Sequence, residues 1–157
     1  MKRIGLFVDV SNLYYTLKRE YKRKLDYAKL KEFVEDMGEI QVMIAYGASK
    51  NGCAKKFIYK LDTLGYQTKF KEVKTFQNAT SIRHKADQDV AIAVDMLNMC
   101  DRLDLIILVS ADGDLLPAVE TLMSKGINVL IIGCNISHDF KAVAREVIEI
   151  PQSLLEN

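Results

Sequence analysis

Residues 104–114 read DLIILVSADGD: five apolar residues, Leu105 to Val109, run without a polar break into a short turn of small and acidic side chains. A strand that is apolar at every position leaves no face for water and needs cover on both sides, as inside a parallel sheet. The pattern recurs in IGLFVDV at 4–10, IQVMIAY at 40–46 and NVLIIG at 128–133. YQTKFKEV at 66–73 alternates instead and reads as an edge strand, so about five strands are expected. Helical spacing fills the gaps: Leu13, Leu17 and Tyr21; Leu30, Phe33 and Val34; Phe57, Leu61 and Leu64; Val90, Val94 and Leu97; Leu116, Val119 and Met123. Gly65 and Gly126 stand where helices stop, Asp114 and Ser137 are candidate N-caps, and residues 75–84, TFQNATSIRH, read as the one long loop. The expectation is an α/β protein, a mostly parallel sheet with helices on both faces, as a single domain over 1–157.

Composition agrees with a packed core. The chain has 157 residues, 49% of them hydrophobic and 27% charged, with two prolines and eight glycines, which excludes disordered and collagen-like classes. Cys53, Cys100 and Cys134 lie far apart and form no CxxC pair, which argues against a disulfide framework or structural zinc and for a reducing cytoplasm. The apolar run near the N-terminus is interrupted by Asp9, too short and polar for a signal peptide or membrane span, so no membrane partner is expected.

In open α/β sheets ligands bind beyond the carboxyl ends of the strands. Asp9, Ser11 and Asn12 follow the first strand; Ser110, Asp112 and Asp114 follow the fourth. A reversal of strand order between these two would bring both groups into one crevice. A third acidic set, Asp87, Asp89 and Asp95, lies in KADQDVAIAVDML at 85–97; Asp87 and Asp95, eight residues apart, share a helix face that Asp89 does not. Converging carboxylates repel, and a hard divalent cation relieves them; oxygen ligands without a His/Cys set favour Mg²⁺ or Mn²⁺ over zinc. Asp87 and Asp114 also fit a plain capping role, whereas Asp9 interrupts an apolar strand end, where an unpaired charge is expensive.

FVDVSN near the N-terminus, the helix DVAIAVDML and the strand-turn VSADGDLLPAVETLMSKG, in this order over nearly the whole chain, resemble the NYN domain, a branch of the PIN-like nucleases. The resemblance implies a PIN-like, Rossmann-like fold and metal-dependent cleavage of RNA by acidic residues. It matches the strand-one aspartate to Asp9, its companion asparagine to Asn12, the helix-entry aspartate to Asp89, and the serine-aspartate turn to Ser110, Asp112 and Asp114, with Asp95 at a second acidic position of the helix. The family often carries Lys-Gly-x-Asp before the helix, whereas this chain has Lys85-Ala86-Asp87-Gln88-Asp89, so Asp87 and Asp89 stay alternatives for the metal-facing position.

The net charge of +1 hides opposed blocks. Residues 67–85 carry Lys69, Lys71, Lys74, Arg83 and Lys85 against Glu72, while 87–114 carry seven aspartates against Arg102. A phosphate-gripping rim beside a metal-gripping centre needs this juxtaposition. Residues 18–31 hold seven Lys/Arg and two acids, with Tyr14, Tyr15 and Tyr21 interleaved or adjacent, and rings beside cations favour single-stranded RNA. The leading expectation is thus an Mg²⁺- or Mn²⁺-dependent endoribonuclease, with catalytic and metal residues Asp9, Asp89, Asp112 and Asp114, supported by Asn12 and Ser110. Lys69, Lys71, Lys74, Arg83, Lys85, Tyr14 and Tyr15 are the candidate substrate contacts. A non-catalytic RNA- or protein-binding regulatory module of the same fold is the alternative, and a homo-oligomer stays open. An aspartyl-phosphate enzyme would want a second acid two residues beyond Asp9, where Ser11 stands, and no GxGxxG or P-loop is present.

Overall fold

The structure, a computed structural model, describes residues 1–73 and 78–157, with the side chains of 78–84 outside the described set. It is an α/β fold on a six-stranded sheet: β1 (Arg3–Asp9), β2 (Glu39–Lys50), β3 (Gln67–Val73), β4 (Leu105–Val109), β5 (Asn128–Gly133) and β6 (Glu146–Glu149). The strand order is β3-β2-β1-β4-β5-β6, and all five neighbouring pairs are parallel. The sixth strand exceeds the expected five. It has four residues, forms an edge, and reads Glu-Val-Ile-Glu, two apolar side chains between two charged ones, too short to give a periodic signal.

Alternate side chains of each strand enter different cores, as the two-residue period demands. Leu6, Val8, Met43, Ala45, Ile107, Val109, Leu130 and Ile132 pack against α1 (Val10–Tyr21), α2 (Tyr27–Glu35) and α3 (Lys55–Leu64). Phe7, Ile44, Tyr46, Ile106, Leu108, Val129 and Ile131 pack on the opposite face against α4 (Asn78–Met99), α5 (Leu116–Ser124) and α6 (His138–Val143). Two covered faces explain the unbroken hydrophobicity of the central strands.

Two local expectations need correction. Residues 78–84 of the expected loop belong to α4, which starts at Asn78; the segment holds no Gly or Pro to stop a helix. The buried stripe of α4 is Ile92, Met96 and the following Cys100, whereas Val90 and Val94 are exposed. The helix therefore covers the sheet with one narrow face, and the polar residues Lys85, Gln88 and Asp89 continue that face toward its N-terminus.

Stops and caps follow backbone chemistry. Gly65 and Gly126 both take positive φ, as a glycine beyond a helix end requires, and Ser137 accepts the Asp139 N–H before α6. The cap after β4 is Asp112, whose carboxylate accepts the Asp114 N–H at 3.0 Å, rather than Asp114. Gly133 closes β5 beside the same turn, where a β-carbon would lie 3.1 Å from the Ser110 carbonyl. Among the described residues, no helix is long and apolar enough to cross a membrane.

Candidate metal centre

Strand order reverses between β1, whose chain continues to one side, and β4, which pairs on its other edge. This is the switch point at which a crevice opens beyond the carboxyl ends of the strands. Asp9 is the last residue of β1 and also the N-cap of α1, accepting the Asn12 N–H at 3.2 Å. Its side chain is held from three directions, because Ser110 Oγ donates to Oδ2 at 2.9 Å and Gln88 Nε2 donates to Oδ1 at 2.6 Å. Ser110 in turn accepts the Asp112 N–H at 3.1 Å, and Asn12 Oδ1 accepts the Ala111 N–H at 3.0 Å, so the β4 turn and the start of α1 are stitched together.

Into this crevice α4 delivers Asp89. One carboxylate oxygen each of Asp9, Asp89 and Asp112 lie within 4.8 Å of one another. Asp9 is only 2% exposed, and Asp89 Oδ1 is buried with no hydrogen-bond partner among the described residues. A buried carboxylate oxygen without a donor is costly, and a cation would supply the missing partner. The electrostatics agree: burial, and then the neighbouring carboxylates of Asp112 and Asp9, push Asp89 up to about 7, with Lys85 opposing. Burial likewise raises Asp9 to about 6, offset in part by the Ser110 and Asn12 hydrogen bonds. All three ligands are oxygen donors, the set that suits Mg²⁺ or Mn²⁺.

The other sequence candidates are distributed around this trio. Asp87 points out to Lys71 Nζ at 3.1 Å, so Asp89 is the helix-entry residue facing the crevice. Asp95 accepts both Tyr46 Oη and Lys69 Nζ at 2.7 Å on one oxygen, which places it against β2 and β3, outside the trio. Asp87 and Asp95 do share a face, but that face looks toward β3. Lys69 and Lys71 are accordingly engaged in ion pairs between β3 and α4 and do not form a free rim. Asp114 is exposed; with Asp112 it flanks Lys85 Nζ, at 3.5 and 3.3 Å. Tyr14 and Tyr15 are exposed on α1, in edge-to-face contact with each other. Lys74 and the Arg83 side chain lie outside the described residues.

Gln88 was not singled out by sequence reasoning, yet it touches Asp9 directly and accepts from Ser11 Oγ at 3.3 Å. The available signal was helical: Lys85, Gln88, Asp89 and Ile92 fall at i, i+3, i+4 and i+7.

The sequence profile of the NYN domain matches residues 3–153, nearly the entire chain. The chain belongs to the NYN domain family. Low amplitude and bright protein LabA of Synechococcus elongatus is 27% identical over 136 residues, which span 83% of this chain and 73% of that protein. A crystal structure of a protein of unknown function from Vibrio parahaemolyticus superposes with a TM-score of 0.88 at 26% identity, covering 99% of this chain and 96% of that one. The NYN family includes ribonucleases, NYN domains bind RNA in general, and NYN nucleases generally depend on divalent metals.

Among the described residues, Lys85 supplies the cation nearest the carboxylates of this NYN site. Replacing it with a neutral side chain removes a charge that repels a metal ion. Lys85→Gln is expected to tighten Mn²⁺ binding at pH 8 by about three- to tenfold at low ionic strength, as measured by calorimetry. Weaker binding would show that the lysine organises the site and does not compete for it.

Proposed function

We propose that this protein is a ribonuclease that hydrolyses phosphodiester bonds of single-stranded RNA at the Asp9–Asp89–Asp112 centre. The observation carrying this reading is the convergence of three carboxylates, one with a buried oxygen that finds no donor among the described residues, at the switch point of an NYN fold. Asp9, Asp89 and Asp112 would hold a divalent ion, which when bound lowers the pKa of water and neutralises charge on a phosphate oxygen.

The chain's own groups fix the geometry. Ser110 occupies one oxygen of Asp9, and Gln88 with the Asn12 N–H the other, so its carboxylate is held against rotation. Ser110 also transmits the position of Asp9 to Asp112 through the Asp112 N–H. Asn12 locks the turn that bears Asp112, and Asp112 orders Asp114 at the rim. The Lys85 ammonium, more than half exposed, lies close enough to bind a phosphate oxygen of the substrate. Pre-set side chains of this kind cost no reorganisation during reaction.

Incubating pure protein with end-labelled single-stranded RNA and Mn²⁺, Mg²⁺ or EDTA tests the reading. Cleavage is expected with either metal and not with EDTA; cleavage that persists equally in EDTA overturns it. RNA that is bound but never cut, under any metal condition, would establish the binding-module alternative.

A further inference from the structure

A second feature of α1 lies away from the acidic crevice. Asp9 caps the start of the helix and Lys22 its end, and around its far end Tyr14, Lys18, Lys22, Arg23 and Lys24 line a cavity of about 260 Å³. Four of these five side chains are cationic and none is acidic. Of the nearby acids, Glu20 accepts from Asn135 Nδ2 and Asp26 caps α2, while Glu156 meets Arg23 and Lys24 through its backbone. Tyr14 is 46% exposed and Tyr15 68%, and Lys18 Nζ sits 5.4 Å from the centre of the Tyr14 ring, so aromatic face and ammonium are already paired.

This end of the helix is held in place. Lys22 takes the left-handed conformation at φ 54°, which turns the chain sharply. Beyond it, Arg23 donates through Nε to the Glu156 carbonyl at 2.8 Å, Glu156 N–H donates to the Lys24 carbonyl at 2.8 Å, and Leu25 bridges Leu155. A solvated helix end normally frays, but here residues from the far end of the chain clamp it, so the cationic side chains converge on one cavity.

We infer that α1 carries a single-stranded RNA track, running from the acidic crevice over Tyr14 and Tyr15 to a phosphate-binding end made by Lys18, Lys22, Arg23 and Lys24. The inference rests on the nuclease reading for the location of the scissile phosphate, but the track binds RNA whether or not the strand is cut. Thirteen residues separate Asp9 from Lys22, roughly 20 Å at 1.5 Å per residue. A stacked strand advances about 3.4 Å per nucleotide, so the track spans about six nucleotides. Stacking on exposed tyrosines is indifferent to base identity, and the lysines grip backbone phosphates. The track therefore selects for length and single-strandedness, not for sequence.

The test uses the full chain carrying Asp89→Asn, with Mn²⁺ present so that RNA can bind at the crevice without turnover. Fluorescence anisotropy is read with 5′-labelled RNA of mixed sequence, 4 and 12 nucleotides long, across 50–200 mM salt. The 12-mer is expected to bind at least tenfold more tightly than the 4-mer. Adding Lys18→Gln, Lys22→Gln and Lys24→Gln together should abolish that gain and make the salt slope shallower by about 2, given a slope of about −0.7 per phosphate neutralised on single strands. Adding Tyr14→Ala should reduce 12-mer affinity without changing the slope. These residues are exposed or partly so, and an unchanged melting temperature confirms that the fold persists.

A triple variant that binds the 12-mer with undiminished affinity and slope overturns the track. So does equal loss for both lengths with competition by millimolar inorganic phosphate, which marks a free-anion pocket. Binding to vesicles of anionic phospholipid in place of any length-dependent RNA binding overturns it as well. Length-dependent binding by a protein that never cuts RNA leaves the track standing and removes the nuclease reading. Cleavage by the parent chain, with no length dependence of binding, does the reverse.

Discussion

Asp89→Asn should cut single-stranded RNA about a thousandfold more slowly than the parent protein under saturating Mn²⁺. Asp89 has a buried oxygen with no partner among the described residues, and one of its oxygens lies within 4.8 Å of oxygens from Asp9 and Asp112. An amide removes the charge and offers only a neutral oxygen, so the site loses one of three anionic ligands. Metal assistance contributes several kcal/mol to the transition state, and about 4 kcal/mol corresponds to a thousandfold in rate. Asp9→Asn should lose a similar factor. Asp95→Asn should stay within about tenfold, because that carboxylate is spent on Tyr46 and Lys69, away from the trio. Initial rates measured for the three variants under identical metal saturation provide the check. An Asp95 variant as impaired as the Asp89 variant would contradict the assignment of roles.

The same carboxylates set the stability of the metal-free protein, with a sign opposite to that of ordinary surface acids. Asp9 is raised to about 6 and Asp89 to about 7, from the ordinary 3.8, chiefly by burial. The folded chain therefore keeps these protons to higher pH than the unfolded chain does. Their contribution is fully present below pH 4 and is lost as pH rises through about 6 to 7. In EDTA the protein should thus melt at lower temperature at pH 8 than at pH 5.5. Asp89→Asn removes the charge and should recover on the order of 2 kcal/mol at pH 8 after discounting for solvent screening, or roughly 4–8 °C. Added Mn²⁺ should stabilise the parent at pH 8 by about 2.7 kcal/mol at a hundred times its dissociation constant and raise its melting temperature, and should stabilise the Asp89 variant by less at the same Mn²⁺ concentration, because one of three anionic ligands is gone. A parent that gains stability between pH 5.5 and 8 in EDTA would show that the trio is not repulsive.

The architecture was largely legible because burial on two faces writes itself into a strand as unbroken hydrophobicity: Leu105–Val109 and its counterparts imply a mostly parallel sheet. β6 escaped because four residues at an edge, two apolar between two glutamates, carry little pattern. Around the site, Asp9 and Asp112 were visible as polar residues ending apolar strands. The choice between Asp87 and Asp89 turned on the rotation of α4. Val90, Val94 and Leu97 look like its buried stripe because they recur at helical spacing, but the sheet receives Ile92 and Met96, which recur at the same spacing. With that rotation known, Gln88 and Asp89 face the crevice, and Asp87 and Asp95 face the lysines of β3. Ion pairing also hid the fate of Lys69 and Lys71, since a count of charges cannot tell which cations are already matched.

The parallel pairing of β1 with β4 has a kinetic consequence. Ile4 lies opposite Leu105, and Ser110 reaches Asp9 across 101 positions of chain. No strand of the described sheet pairs through a hairpin, so loop-closure entropy must be overcome before any β-pairing is rewarded, and folding should be slow for a chain of this size. Asp9 and Asp112 face each other only after that pairing forms, and Asp89 joins them only when α4 docks. Mutual repulsion among the three is thus a late event that the folding barrier hardly feels. An ion bound there acts on the rate of escape from the native state: it prolongs the folded lifetime while leaving the rate of folding almost unchanged.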